Sequence, residues 1–120
     1  GNTLTLTYAG RRSGRTYTTP VNYVRDGDCL WATSYRARMW WRNLRSGVPV
    51  SLRLQGREVQ ATGRVLEDES AVTEALSAYL SRAPGWVIYF NVRLDASGQP
   101  DRADLARAAK ERVMIQFWLK

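Results

Sequence analysis

Residues 4–24 read LTLTYAGRRSGRTYTTPVNYV. Leu4, Leu6 and Tyr8 alternate with threonines, the period-two pattern of a strand with one buried face. Residues 10–15, GRRSGR, interrupt the alternation as a turn, and a second strand is expected over residues 16–24. Pro20 lies inside that strand and has no N–H for a ladder bond, so the strand belongs at a sheet edge or a bulge. Two strands joined by so short a turn pair antiparallel, and the rest of the chain is expected to extend that sheet.

Asp26-Gly27-Asp28 marks a further tight turn, leading into a third strand over residues 29–33. A short helix follows, with Ser34 as its cap and Gly47 at its end. On it Met39 or Trp40 would share a face with Asn43 and Leu44. Val48, Val50, Leu52 and Leu54 then alternate up to Gln55-Gly56, and Val59, Ala61, Gly63 and Val65 alternate back, as in a second hairpin. Asp68 is placed to cap a helix carrying Ala71, Ala75, Leu76, Tyr79 and Leu80 at helical spacing. Pro84-Gly85 breaks it, and residues 86–92 fit a helix or a strand equally. Asp101 caps a last helix decorated by Arg102, Arg107, Lys110 and Arg112, and residues 113–119 form a final strand. The pattern predicts an α+β fold: about six mostly antiparallel strands in a barrel closed by the last strand, with short helices outside. A chain of 120 residues fits one domain, 1–120. Its opening directly in a strand suggests that further residues precede Gly1.

The chain has no histidine and one cysteine, Cys29. These counts exclude a Ser-His-Asp triad, a Cys-His pair and a histidine metal site, and no metal site is expected. The single cysteine and the lack of a long apolar run point to a cytoplasmic setting. Glu67, Asp68 and Glu69 cluster at a strand-to-helix junction, where they read as helix caps rather than catalytic acids. Chemistry in such a chain needs another source of reactivity, and an organic cofactor is the natural one.

The formal charge is +7, and all but Lys110 and Lys120 of the 18 basic residues are arginines. A basic surface favours anionic partners, and arginine's planar fork matches phosphate and carboxylate. The residues alone leave two readings of GRRSGR open. It is a hairpin turn with solvated arginines, or a loop whose glycines let backbone N–H groups converge on an anion while Arg11, Arg12 and Arg15 add charge. Thr18, Thr19 and Asn22 could meet the polar edge of a ring, or serve only as strand formers. The adjacent Trp40 and Trp41 point to different faces, one into the core and the other towards a planar ligand or a dimer interface. A nucleic-acid-binding barrel would suit the charge. The arginines are scattered, however, and no RNA- or DNA-reading motif is present, so no nucleic-acid partner is expected. Nothing in the sequence supports attachment to a membrane surface.

The runs LTYAGRRSGRTYTTPVNYVRDGD and WWRNLRSGVPVSLRLQGREVQATGRVLED, in that order, resemble the deazaflavin-dependent nitroreductase family. The late VRLDASGQPDRADLARAAKERV is also similar to members of this group. The family belongs to the split β-barrel flavin- and deazaflavin-binding oxidoreductases. The resemblance implies a split barrel, a homodimer, and coenzyme F420 (a deazaflavin) as cofactor, with FMN as the alternative. It implies hydride transfer to a small electron-poor acceptor such as a quinone, nitroaromatic or enone. The alternative on the same barrel is an FMN or tetrapyrrole binder without turnover. Arg11, Arg12, Ser13, Gly14 and Arg15 would grip the cofactor's phosphate and acidic tail. Thr18, Thr19, Pro20 and Asn22 would run beside the ring, Thr33 and Ser34 would wrap it, and Trp40, Trp41 and Asn43 complete the expected cofactor-binding set. Two departures stand out: the loop before the Trp-Trp segment is the short residues 35–39, and Arg42 stands where histidine is common. No catalytic residue is singled out; Tyr89 is one candidate proton source, and water is another.

Overall fold

The computed structural model describes residues 2–120. Its core is one curled antiparallel sheet of seven strands, a split barrel: β1 (Thr3–Ala9), β2 (Thr16–Asn22), β3 (Val24–Asp26), β4 (Cys29–Tyr35), β5 (Val48–Leu54), β6 (Arg57–Leu66) and β7 (Arg112–Leu119). The order across the sheet is β2-β1-β5-β6-β7-β4-β3. β7 lies between β6 and β4, so the last strand joins the two halves of the sheet. β2 stands at one end, where the missing N–H of Pro20 costs no ladder bond. The β5–β6 turn is Gln55-Gly56, both at positive φ (50° and 79°), the geometry whose twist matches paired strands.

The alternation read from the sequence becomes two cores on either side of β4 and β7. Leu4, Leu6, Leu30, Leu52, Ile115 and Phe117 fill the barrel. Met114 faces the other way, onto α1 (Glu69–Arg82) and α2 (Arg102–Glu111), with Val72, Leu76, Leu80 and Leu105. Asp68 and Asp101 cap these helices, accepting from the N–H groups of Ala71 and Asp104 at 3.0 Å each. Among the described residues, no helix is long and apolar enough to cross a membrane.

Three elements differ from expectation. The strand expected over residues 16–24 breaks at Tyr23, and Val24–Asp26 pairs instead with β4, giving seven strands rather than about six. The helix expected from Ser34 to Gly47 shrinks to a 3-10 turn at Trp40–Leu44. Ser34 and Tyr35 prolong β4 instead, because Val113 and Arg112 on β7 offer them paired positions. Of residues 86–92, left open between helix and strand, Trp86–Phe90 belong to a second 3-10 helix (Pro84–Phe90), which begins at the expected Pro84-Gly85 break and ends at Asn91 in a left-handed conformation.

Candidate functional site

The GRRSGR loop is tightly tied. Gly10 N–H donates to the Arg15 carbonyl at 2.7 Å, Gly14 N–H to the Gly10 carbonyl at 2.9 Å, and Arg15 N–H to Ser13 Oγ at 3.1 Å. Gly14 sits at φ 71°, and a Cβ on Gly10 would fall 2.9 Å from Ser13 Oγ and the Tyr17 ring. The left-handed backbone at Gly14 favours glycine, and any side chain at Gly10 would have to displace those of Ser13 and Tyr17. The Arg11 N–H donates at 2.9 Å to Asn43 Oδ1, and Asn43 Nδ2 donates at 2.9 Å to the Trp40 carbonyl. Asn43 thus pins the loop to the first 3-10 helix with both ends of its amide. The N–H groups expected to converge on an anion are largely spent inside the loop, so the grip falls to the guanidiniums. Arg11, Arg12 and Arg15 are all exposed, and none forms an ion pair among the described residues.

Beside this loop a cavity of about 770 Å³ opens between β2, β4 and the second 3-10 helix. That volume lies within the range of small-molecule and cofactor sites. Thr19, Pro20 and Asn22 line it from β2, Thr33 and Ser34 from β4, and Trp40 from the first 3-10 helix. These six expected residues come together. The loop residues Arg11, Arg12, Ser13, Gly14 and Arg15 lie outside the wall, as does Thr18, whose hydroxyl meets Thr7 Oγ1 at 3.1 Å. The tryptophans divide as their adjacency requires. Trp41 is 1% exposed and packs in the barrel core, its Nε1 donating to the Tyr35 carbonyl at 3.2 Å. Trp40 faces the cavity, 6.2 Å from the Tyr8 ring, which in turn stacks on Tyr17 at 5.7 Å.

The remaining wall has no counterpart in the sequence expectation except Tyr89, which is 73% exposed at the rim. Tyr8, Tyr35, Arg38, Tyr79, Trp86, Phe90 and Arg112 all line the cavity. Tyr79 is buried against Trp86 and Phe90, and burial pushes its phenol up to about 12. Arg112 corrects a sequence reading: it does not decorate the last helix but opens β7, opposite Tyr35. It is 9% exposed. No local pattern marks it, because its neighbours come from three separate parts of the chain.

Residues 1–84 match the family model of the F420H(2)-dependent quinone reductases. The chain belongs to this family. The finding agrees with the resemblance to deazaflavin-dependent reductases and covers the loop, β2, β4 and the Asn43 tie; α2 and β7 lie beyond the matched residues. No match was found among curated proteins. Solved structures share the fold. An FAD and heme binding protein from Mycobacterium smegmatis is 19% identical with a TM-score of 0.65, over 99% of this chain and 61% of that one. This chain therefore spans less than two thirds of that relative. An F420 reductase is 19% identical with a TM-score of 0.52, over 98% of this chain and 86% of that one. A protein described as a domain-swapped dimer is 17% identical with a TM-score of 0.59, over 96% and 79%. At these identities the likeness shows the fold alone.

Proposed function

We propose that the chain is a reductase that holds coenzyme F420 in the β2–β4 cavity and reduces small electron-poor acceptors such as quinones, nitroaromatics or enones. The observation that carries this reading is the adjacency of two features. A cavity walled by Trp40 and the hydroxyl edges of β2 and β4 is tied through the Asn43 amide, which bonds both the Trp40 carbonyl and the Arg11 N–H, to a loop bearing three guanidiniums without an ion pair among the described residues. The residues fit the group: a ring needs a flat, half-apolar wall, and a phosphate with an acidic tail needs cations without carboxylate partners. Arg11, Arg12 and Arg15 would hold the tail, and Thr19, Asn22, Thr33 and Ser34 would meet the ring's polar edge. When bound, the reduced deazaflavin supplies the hydride. The chain's own residues bind, orient and exclude water: Trp40, Trp86 and Phe90 make the wall apolar, and Tyr89 stands at the rim in a position to pass a proton. A strong protein base is unnecessary for hydride transfer, consistent with a chain that has no histidine.

A homodimer belongs to the same proposal. Ile88 and Tyr89, 72% and 73% exposed, put apolar surface beside the cavity mouth, where a second copy would cover it. The decisive assay is oxidation of reduced F420, followed by absorbance, with menadione as acceptor. Enzyme-dependent oxidation supports the reductase. Tight binding without oxidation would instead favour an FMN- or tetrapyrrole-type binder, for which the similar fold of the FAD and heme binding protein from Mycobacterium smegmatis is the precedent.

A further inference from the structure

We infer that Arg112 forms a distinct oxyanion site inside the cavity, one that takes an anionic or strongly polarised oxygen carried on a planar conjugated ring. It rests on the reading of this cavity as the reductase site for the source of that ring. The guanidinium carbon lies 4.1 Å from the Phe90 ring centroid and 4.2 Å from that of Tyr35. The side chain is thereby clamped between two rings contributed by different elements, and it lines the cavity. It is nine-tenths buried, yet among the described residues its guanidinium forms no ion pair. A buried charge is ordinarily paired, because leaving water without a counter-charge is costly. Burial lowers the pKa of Arg112, opposed by the nearby Tyr35, Glu111 and Tyr79, but a guanidinium remains charged in water.

The ligand's chemistry follows from the surroundings. Stacked rings leave the edge of the guanidinium, with its forked donors, for recognition, and that edge suits a carboxylate or an enolate-like oxygen. Tyr79 and Phe90, edge to face with ring centroids 6.1 Å apart, line the same region with aromatic surface, which suits a ring over an aliphatic chain. The site is separate from the GRRSGR loop, whose arginines lie outside the cavity wall.

Benzoate is the probe, with benzamide as its uncharged counterpart of similar size. Binding is read by quenching of tryptophan fluorescence, since Trp40 and Trp86 line the cavity. Benzoate should bind the wild type saturably and more tightly than benzamide. Its affinity should fall about tenfold or more in Arg112→Met, a range typical of one lost charge-assisted contact. Arg112→Lys should recover part of the loss. Circular dichroism checks the fold of each variant; if Arg112→Met does not fold, the benzoate–benzamide contrast and Arg112→Lys decide. Equal binding of the two probes to the wild type, or benzoate affinity unchanged in a folded Arg112 variant, would overturn the site. Oxidised F420 and menadione then separate the sources. Loss of F420 affinity in the variants assigns the oxygen to the cofactor ring, whereas unchanged F420 affinity with a raised KM for menadione assigns it to the acceptor. If F420 fails to bind while benzoate binding persists, the cofactor reading falls and the Arg112 site stands.

Discussion

Replacing Asn43 with alanine removes two hydrogen bonds at once, one from the Arg11 N–H and one to the Trp40 carbonyl, each 2.9 Å. A neutral hydrogen bond contributes about 0.5–1.5 kcal/mol net, so Asn43→Ala should cost about 1–3 kcal/mol. In a domain of this size each kcal/mol lowers Tm by roughly 4 °C. Thermal unfolding followed by circular dichroism should therefore show a Tm lowered by about 4–12 °C. The control is Arg11→Ala. The bond to Asn43 uses the backbone N–H of Arg11, which alanine retains, and the Arg11 side chain is exposed. That variant should keep its stability to within about 0.5 kcal/mol. The two variants thus separate loop anchoring from loop charge. An Asn43→Ala protein as stable as the wild type, or an Arg11→Ala protein equally destabilised, would refute the tie between loop and 3-10 helix.

Other consequences follow from burial. Trp41→Ala opens the barrel core and should cost about 3–5 kcal/mol by denaturant unfolding, whereas Trp40→Ala should cost less and chiefly alter ligand binding; equal destabilisation would contradict the division of the pair. Burial, with Asp26 adding to it, raises the Cys29 thiol to about 11, and burial raises Tyr79 to about 12. Both groups hold their protons more tightly when folded, so their stabilising effect is complete below the ordinary values and is lost as pH rises through the raised ones. Tm should fall between about pH 9 and 12, more steeply than in Cys29→Ala; identical profiles would remove Cys29 from that account.

Legibility tracked locality. Both long hairpins, around GRRSGR and around Gln55-Gly56, were readable because alternation and turn chemistry act over a few neighbouring residues. Asp68 and Asp101 were readable as caps for the same reason. The break at Tyr23 and the extension of β4 to Tyr35 were not, because each depends on which strand lies alongside. The cavity shows the same divide. Thr19, Pro20, Asn22, Thr33, Ser34 and Trp40 were accessible through motif and family resemblance. Arg112 was hidden, since a basic residue at the end of a helix reads as a partner for the helix dipole. Only β7's pairing with β4 turns it inward between Tyr35 and Phe90.

The most direct test of the reductase reading is a paired fluorescence titration with F420 and with FMN, on the wild type and on Arg12→Ala. F420 should quench saturably and more tightly than FMN, and Arg12→Ala should weaken F420 by about 1.5–3 kcal/mol, typical of one charge-assisted contact. No quenching by either cofactor, or F420 affinity indifferent to Arg12, would contradict the account.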